Sequence, residues 1–205
     1  MALKKEDKSR IQDFYRKKLK KHGDNSAWSV DWESYENQQS RFDIFSKIGD
    51  LNGKSILDFG SGLGDWYGYL SKHFKGFDYI GIDIVPEMVE AAKKKYPNAK
   101  FVNAEIDAID QSFDYVFASG SLTFEVEDGQ NFYFKIIEKM YRLAKIGVGF
   151  NMLSKEYFGT QKLYTTYEPF EVVEFCKTFA KDIRVIVDYL EGEFTVYLFK
   201  KKQKA

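Results

Sequence analysis

One cysteine, two histidines and three prolines in 205 residues leave out several kinds of chemistry. Cys176 alone cannot close an internal disulfide, which argues against a cross-linked extracellular scaffold. His22 and His73 stand 51 residues apart with no adjoining cysteine or acid cluster, so neither a metal site nor a Ser-His-Asp triad is supported. No apolar run approaches the roughly 20 residues that a membrane span needs. Charge of one sign is missing too: 31 Lys and Arg balance 31 Asp and Glu. No global field then favours nucleic acid or an anionic membrane, and a small molecule is the expected substrate. Met1-Ala2-Leu3-Lys4-Lys5 runs into charge rather than an apolar signal core, which leads us to expect a cytoplasmic protein.

What is present fits globular folding. The chain is 44% hydrophobic and 18% aromatic, with length for one domain and a core of its own. The most informative run is Ser55-Ile56-Leu57-Asp58-Phe59-Gly60-Ser61-Gly62-Leu63-Gly64-Asp65, an apolar strand that ends beside an acid and opens into Gly60, Gly62 and Gly64. Glycine permits positive φ and close approach of a ligand to the backbone, and a helix starting near Gly64 turns unpaired N–H groups toward it. A dinucleotide loop would carry glycine three residues after Gly62. Asp65 stands there, and Asp58 adds a second carboxylate. Two acids repel a pyrophosphate and suit a ligand that carries positive charge.

This run resembles the glycine-rich loop of class I S-adenosylmethionine-dependent methyltransferases, whose cofactor has a sulfonium and an α-ammonium and no phosphate. Three further segments match in order: Tyr79-Ile80-Gly81-Ile82-Asp83-Ile84, Asn103-Ala104-Glu105-Ile106, and Ser112 through Leu122. The resemblance implies S-adenosylmethionine as cofactor, with Asp83 accepting both ribose hydroxyls and Asp58 near the amino-acid end, often through water. It implies Ile84 and Met88 on the adenine side, although a helical methionine is also ordinary core. It places Ala104, Glu105 and Ile106 at the adenine, with Glu105 accepting from its amino group unless it is a solvated loop charge. Ala118 and Ser119 fall where the fourth strand meets the crevice. The Asn/Asp-Pro-Pro-aromatic loop of nucleic-acid amino-methylating enzymes is absent, which counts against that substrate class.

Apolar spacing predicts helices at 5–20, with Ile11, Phe14, Tyr15 and Leu19 on one face, and at about 36–48. Alternation follows: strand 55–59, helix 65–74, strand 79–84, helix 86–95, strands 100–103 and 113–118, helix 130–143, strand 146–152, and a helix at about 169–180 holding Cys176 in the core. Runs 183–189 and 193–199 flank Gly192 as a hairpin. Alternation of this kind gives an α/β, mostly parallel sheet with helices on both faces. The resemblance implies a Rossmann-like seven-stranded sheet ordered 3-2-1-4-5-7-6, its last strand antiparallel. We expect residues 1–205 to form one domain, with 1–50 as a helical cap and 51–205 as the sheet core.

The segment 153–168 is long for a connection and rich in tyrosine. Tyr157, Tyr164 and Tyr167, with Trp28, Trp32 and Tyr35, form either an aromatic lid over cofactor and acceptor or plain packing at the sheet edge. Arg41 either reaches the cofactor carboxylate or is an exposed helix charge. The lysine-rich runs 17–21 and 200–204 are either solvated ends or contacts for an anionic substrate. In-line methyl transfer rests on positioning, so no base is assigned; were the acceptor a hydroxyl, Tyr35, Glu125 or His22 would be the candidates. No metal is expected. A noncatalytic cofactor-binding partner protein and an NAD-dependent oxidoreductase on a related fold are the competing readings.

Overall fold

The structure, a computed structural model, describes residues 3–24, 26–31 and 34–201. Helix α1 (Lys5–His22) has Glu6 and Asp7 in its first turn and Lys20, Lys21 and His22 in its last, charges that oppose the helix dipole; Gly23 at φ 78° ends it. A 3₁₀ turn (Ala27–Val30) leads to α2 (Tyr35–Ser46), where the Ser34 hydroxyl accepts from the Asn37 N–H at 3.1 Å as an N-cap. The alternating core then runs β1 (Ser55–Phe59), α3 (Asp65–His73), β2 (Asp78–Asp83), α4 (Pro86–Lys95), β3 (Lys100–Asn103), β4 (Phe113–Ala118), α5 (Gly129–Leu143) and β5 (Ala144–Leu153). The short α6 (Lys155–Phe158), then α7 (Pro169–Lys177), β6 (Asp182–Ile186) and β7 (Glu193–Phe199) complete the chain.

The seven strands form one sheet in the order β3-β2-β1-β4-β5-β7-β6, the order expected. The first five pair in parallel, and β7 runs antiparallel to both β5 and β6. Alternate residues serve opposite faces, as a period of two requires. Leu57 and Val116 enter one apolar cluster with α5 and α7, while Ile56 and Phe117 enter another with α2 and α3. Each such side chain contributes about 1.5–3 kcal/mol by leaving water.

Several bounds move by one or two residues, and two expectations shift further. The hairpin run 183–189 leaves the ladder after Ile186, because Asp188 takes φ 62° and turns the chain; Tyr189 folds inward, where its hydroxyl accepts from Thr195 Oγ1 at 2.9 Å. The helix expected to reach about 180 ends at Lys177, its last carbonyls taken by Thr178, Phe179 and Ala180 N–H groups.

Candidate functional site

A cleft of about 1180 Å³, counting the part open to solvent, lies at the carboxyl ends of β1, β2 and β4. A parallel sheet leaves its crevice there, where neighbouring connections turn to opposite faces. Gly60, Gly62 and Gly64 all adopt positive φ. At Gly60 (φ 71°) a Cβ would stand 2.2 Å from Ser121 Cβ, so the glycine loop and the loop after β4 interlock with no room for a side chain. Gly64 does not line the cleft; a Cβ on it would meet Phe101 Cζ at 2.6 Å, so it lets α3 begin close against β3.

The acids are held individually. Asp83 accepts from Gly62 N at 2.9 Å with one oxygen and from Val85 N at 2.8 Å with the other, which joins the glycine loop to the start of α4. Burial raises its pKa while these amides oppose the rise. Asp58, 2% exposed, accepts from the Tyr79 hydroxyl at 2.5 Å, and its pKa is pushed up to about 7, first by burial, with Tyr79 opposing and Asp83 and Asp65 adding. Asp65 is paired with Lys95 at 2.7 Å and takes Gln38 Nε2 at 3.2 Å. Among the described lining residues there is no Lys, Arg or His. Three polar atoms at the cleft's edge, Ser61 Oγ, Ser119 Oγ and Trp66 Nε1, are shut from solvent without a hydrogen-bond partner, a state that a bound polar ligand would relieve.

Helix α1 crosses the cleft as a roof. On one side Lys8 meets Glu105 at 2.6 Å, Gln12 Nε2 donates to the Ile84 carbonyl at 2.7 Å and Arg16 meets Glu87 at 2.6 Å. On the other, Arg10 donates to the Glu125 carbonyl at 2.9 Å and Asp7 accepts from Glu127 N at 3.0 Å. Between these anchors Leu3, Ile11 and Tyr15 face the cleft, and Val30 comes down over Gly62.

A methyltransferase-domain model matches residues 56–147. Rv1506c of Mycobacterium tuberculosis, which its name gives as an inferred methyltransferase, is 30% identical over 156 residues, covering 71% of this chain and 93% of that protein. The chain belongs to the S-adenosylmethionine-dependent methyltransferases. S-adenosylmethionine is the cofactor, and the acid-lined, cation-free cleft with its orphaned polar atoms fits a ligand carrying a sulfonium and an ammonium. The fold agrees: magnesium protoporphyrin IX methyltransferase from Synechocystis PCC 6803, solved with the cofactor bound, superposes with TM-score 0.72 at 16% identity over 98% of this chain and 99% of that one. The N-methyltransferase NodS of Bradyrhizobium japonicum WM9 gives 0.67 at 14% identity, covering 93% and 98%. Wheat phosphoethanolamine N-methyltransferase is 30% identical over 122 residues, 54% of this chain but 22% of that longer protein.

Of the residues the sequence proposed, the methyltransferase brings Asp58, Gly60, Gly62, Asp83, Ile84, Met88, Ala104, Glu105, Ile106 and Ser119 to one cleft. Glu105 arrives engaged: Lys8 and the Leu3 N–H hold its two oxygens, and although burial alone would raise its pKa, these bonds bring it below the ordinary value. Ala118 is fully buried in the core behind the cleft. Arg41 does not reach the cleft and is not exposed; the face of α2 that carries it packs toward β7, where it forms a buried ion pair with Glu193.

The aromatic segment divides. Tyr167 is 1% exposed and donates to the Leu122 carbonyl at 2.9 Å, so it is packing, as the blander reading had it. Tyr164 donates to Asp31 beside the roof. Tyr157 is exposed and bonded to Glu191 at 3.0 Å, while exposed Trp28 stacks on His22. Tyr35, Glu125 and His22 lie outside the cleft, Glu125 accepting from Thr165 Oγ1 at 2.9 Å. Trp32 and Lys202 to Lys204 lie outside the described residues. Sequence reasoning missed Tyr15, Gln38, Trp66, Phe124 and Tyr133 as lining residues. The apolar face of α1 was visible, but periodicity marks a face as buried without saying that it covers a cleft.

Proposed function

We propose that this enzyme transfers the cofactor's methyl group to a small-molecule acceptor, and that the acceptor atom is nitrogen. The observation that carries this reading is the roofed cleft whose charged lining is entirely acidic. Asp83 would take the ribose hydroxyls with the lone pairs left by its two backbone bonds. Ile84, Met88, Ala104 and Ile106 would enclose the adenine, with Glu105 at its edge. Gly60, Gly62 and Ser119 would follow the amino-acid part, and Asp58 its ammonium. An amine attacks through its own lone pair, so the transfer needs no base of its own, and the acids stabilise the positive charge that passes from sulfur to nitrogen. Among the described lining residues an anionic acceptor would meet carboxylates and no cationic side chain.

The described helices include none long and apolar enough to cross a membrane. The whole chain would act as one domain, residues 1–50 capping the cleft, in the cytoplasm. Calorimetry with S-adenosylhomocysteine, set against NAD, tests the cofactor site: micromolar binding of the first alone is expected, and comparable NAD binding would defeat it. Mass spectrometry of a mixed pool of small amines, alcohols and their phosphate esters incubated with enzyme and S-adenosylmethionine tests the acceptor. Methylated phosphate esters with untouched amines would overturn the amine reading.

A further inference from the structure

The loop after β4, residues 119–121, faces the cleft on one side and a buried polar chain on the other. Gly120 takes φ 70°, and its N–H donates to Asn151 Oδ1 at 2.8 Å. Asn151, on β5 and 2% exposed, turns its amide nitrogen to Glu193 Oε2 at 3.3 Å. Glu193, at the start of β7, is bound by Arg41 of α2 through Nε at 2.5 Å and through a second guanidinium nitrogen. The charged groups at the end of this chain are shut from water, a cost that a fold retains only where the pair is well satisfied. On its other flank the loop is tied to β1, since Ser121 Oγ donates to the Phe59 carbonyl at 2.8 Å.

We propose that Asn151 is a positioning residue for methyl transfer: held by the Arg41–Glu193 pair, it fixes the Gly120 peptide and with it the wall of the cleft at Ser119. Gly120 has no side chain to hold it in register, and its left-handed backbone is one that glycine leaves as readily as it enters. A single hydrogen bond from a rigid strand sets the peptide plane, and the ion pair sets which way the Asn151 amide faces. Geometry at a reacting centre is sensitive to displacements of about 1 Å, so support one residue behind the wall governs the chemistry in front of it. The proposal rests on the reading that the 119–121 loop borders the cofactor.

Two variants separate positioning from bulk stability. Asn151→Leu removes both hydrogen bonds; Asn151→Asp keeps an oxygen for the Gly120 N–H but sets a carboxylate against Glu193. Both should lower Tm. Amide hydrogen exchange at Gly120, read by NMR, should quicken about tenfold or more in Asn151→Leu and stay near wild type in Asn151→Asp. The Kd for S-adenosylhomocysteine should rise about fivefold in the first and less than twofold in the second. If Asn151→Leu does not fold, Asn151→Ala, which also lacks the acceptor for the Gly120 N–H, decides: unchanged Gly120 exchange in it overturns the proposal. Unchanged Gly120 exchange in a folded Asn151→Leu also overturns it. Failure of the wild-type protein to bind S-adenosylhomocysteine would instead defeat the cofactor reading, while the exchange measurement would still decide whether Asn151 holds the loop.

Discussion

Raising the pH from 6 to 7.5 should tighten S-adenosylhomocysteine binding by about eightfold, and Asp58 is the reason. Its carboxyl is 2% exposed and its pKa is pushed up to about 7, chiefly by burial. If the cofactor's ammonium binds beside the ionised form only, apparent affinity scales with the ionised fraction, roughly one-eleventh at pH 6 and three-quarters at pH 7.5. Binding at pH 6 should then release close to one proton, measurable by titration calorimetry in two buffers of different ionisation enthalpy. Asp58→Asn should flatten the profile and weaken binding at pH 7.5. The same residue predicts an opposite trend in the stability of the free protein. A carboxyl whose folded pKa lies above its unfolded value binds its proton more tightly in the fold. Its stabilisation is present below the unfolded value, 3.8, and is lost as pH rises through about 7. The amount is at most about 4 kcal/mol for roughly three pKa units. Asn at position 58 still accepts from Tyr79, so Asp58→Asn should raise Tm at pH 8 while damaging cofactor binding. A flat affinity profile with no proton release, and no gain in Tm, would refute the reasoning.

Asp83→Ala should cost roughly 1–3 kcal/mol of S-adenosylhomocysteine affinity by calorimetry, since the ribose hydroxyls would lose the acceptor proposed for them and the Gly62 N–H its partner; full affinity in the variant would remove the ribose assignment. Gly60→Ala should destabilise the fold by more than about 2 kcal/mol in urea unfolding, because the new Cβ meets Ser121 Cβ at 2.2 Å in a left-handed backbone. Methyl transfer to an identified acceptor should survive EDTA in a radiolabel assay. Among the described residues no group of three His, Cys, Asp or Glu side chains could hold a metal ion, and activity lost to EDTA but restored by magnesium would contradict this.

Much of the fold was legible because its signals are local. The bounds expected for β1, β3, β4 and α4 coincide with those observed; β1 is a short apolar run closed by Gly60, and α4 opens on a proline at helix position N1. The tail of the 183–189 run was misread because Val187 and Tyr189 prolong the β-rich pattern on either side of Asp188, the residue that turns the chain. Arg41 illustrates another kind of miss: its place on α2 was readable, its partner was not.

The sequence by itself determined the alternation of strands and helices, the glycine loop with its positive φ, and the acids that end β1 and β2. Backbone sterics and a period of two act over a few residues, and their consequences are written there. Only the tertiary structure decided which charges were spent before any ligand arrives. Glu105 is claimed by Lys8 across 97 positions and Arg41 by Glu193 across 152, and α1 became the roof of the cleft through contacts to both of its sides. Whether a charge is shielded, paired or open to a ligand depends on how much water the assembled neighbours remove from it. That is a property of the packed molecule, since the groups that remove the water come from distant parts of the chain.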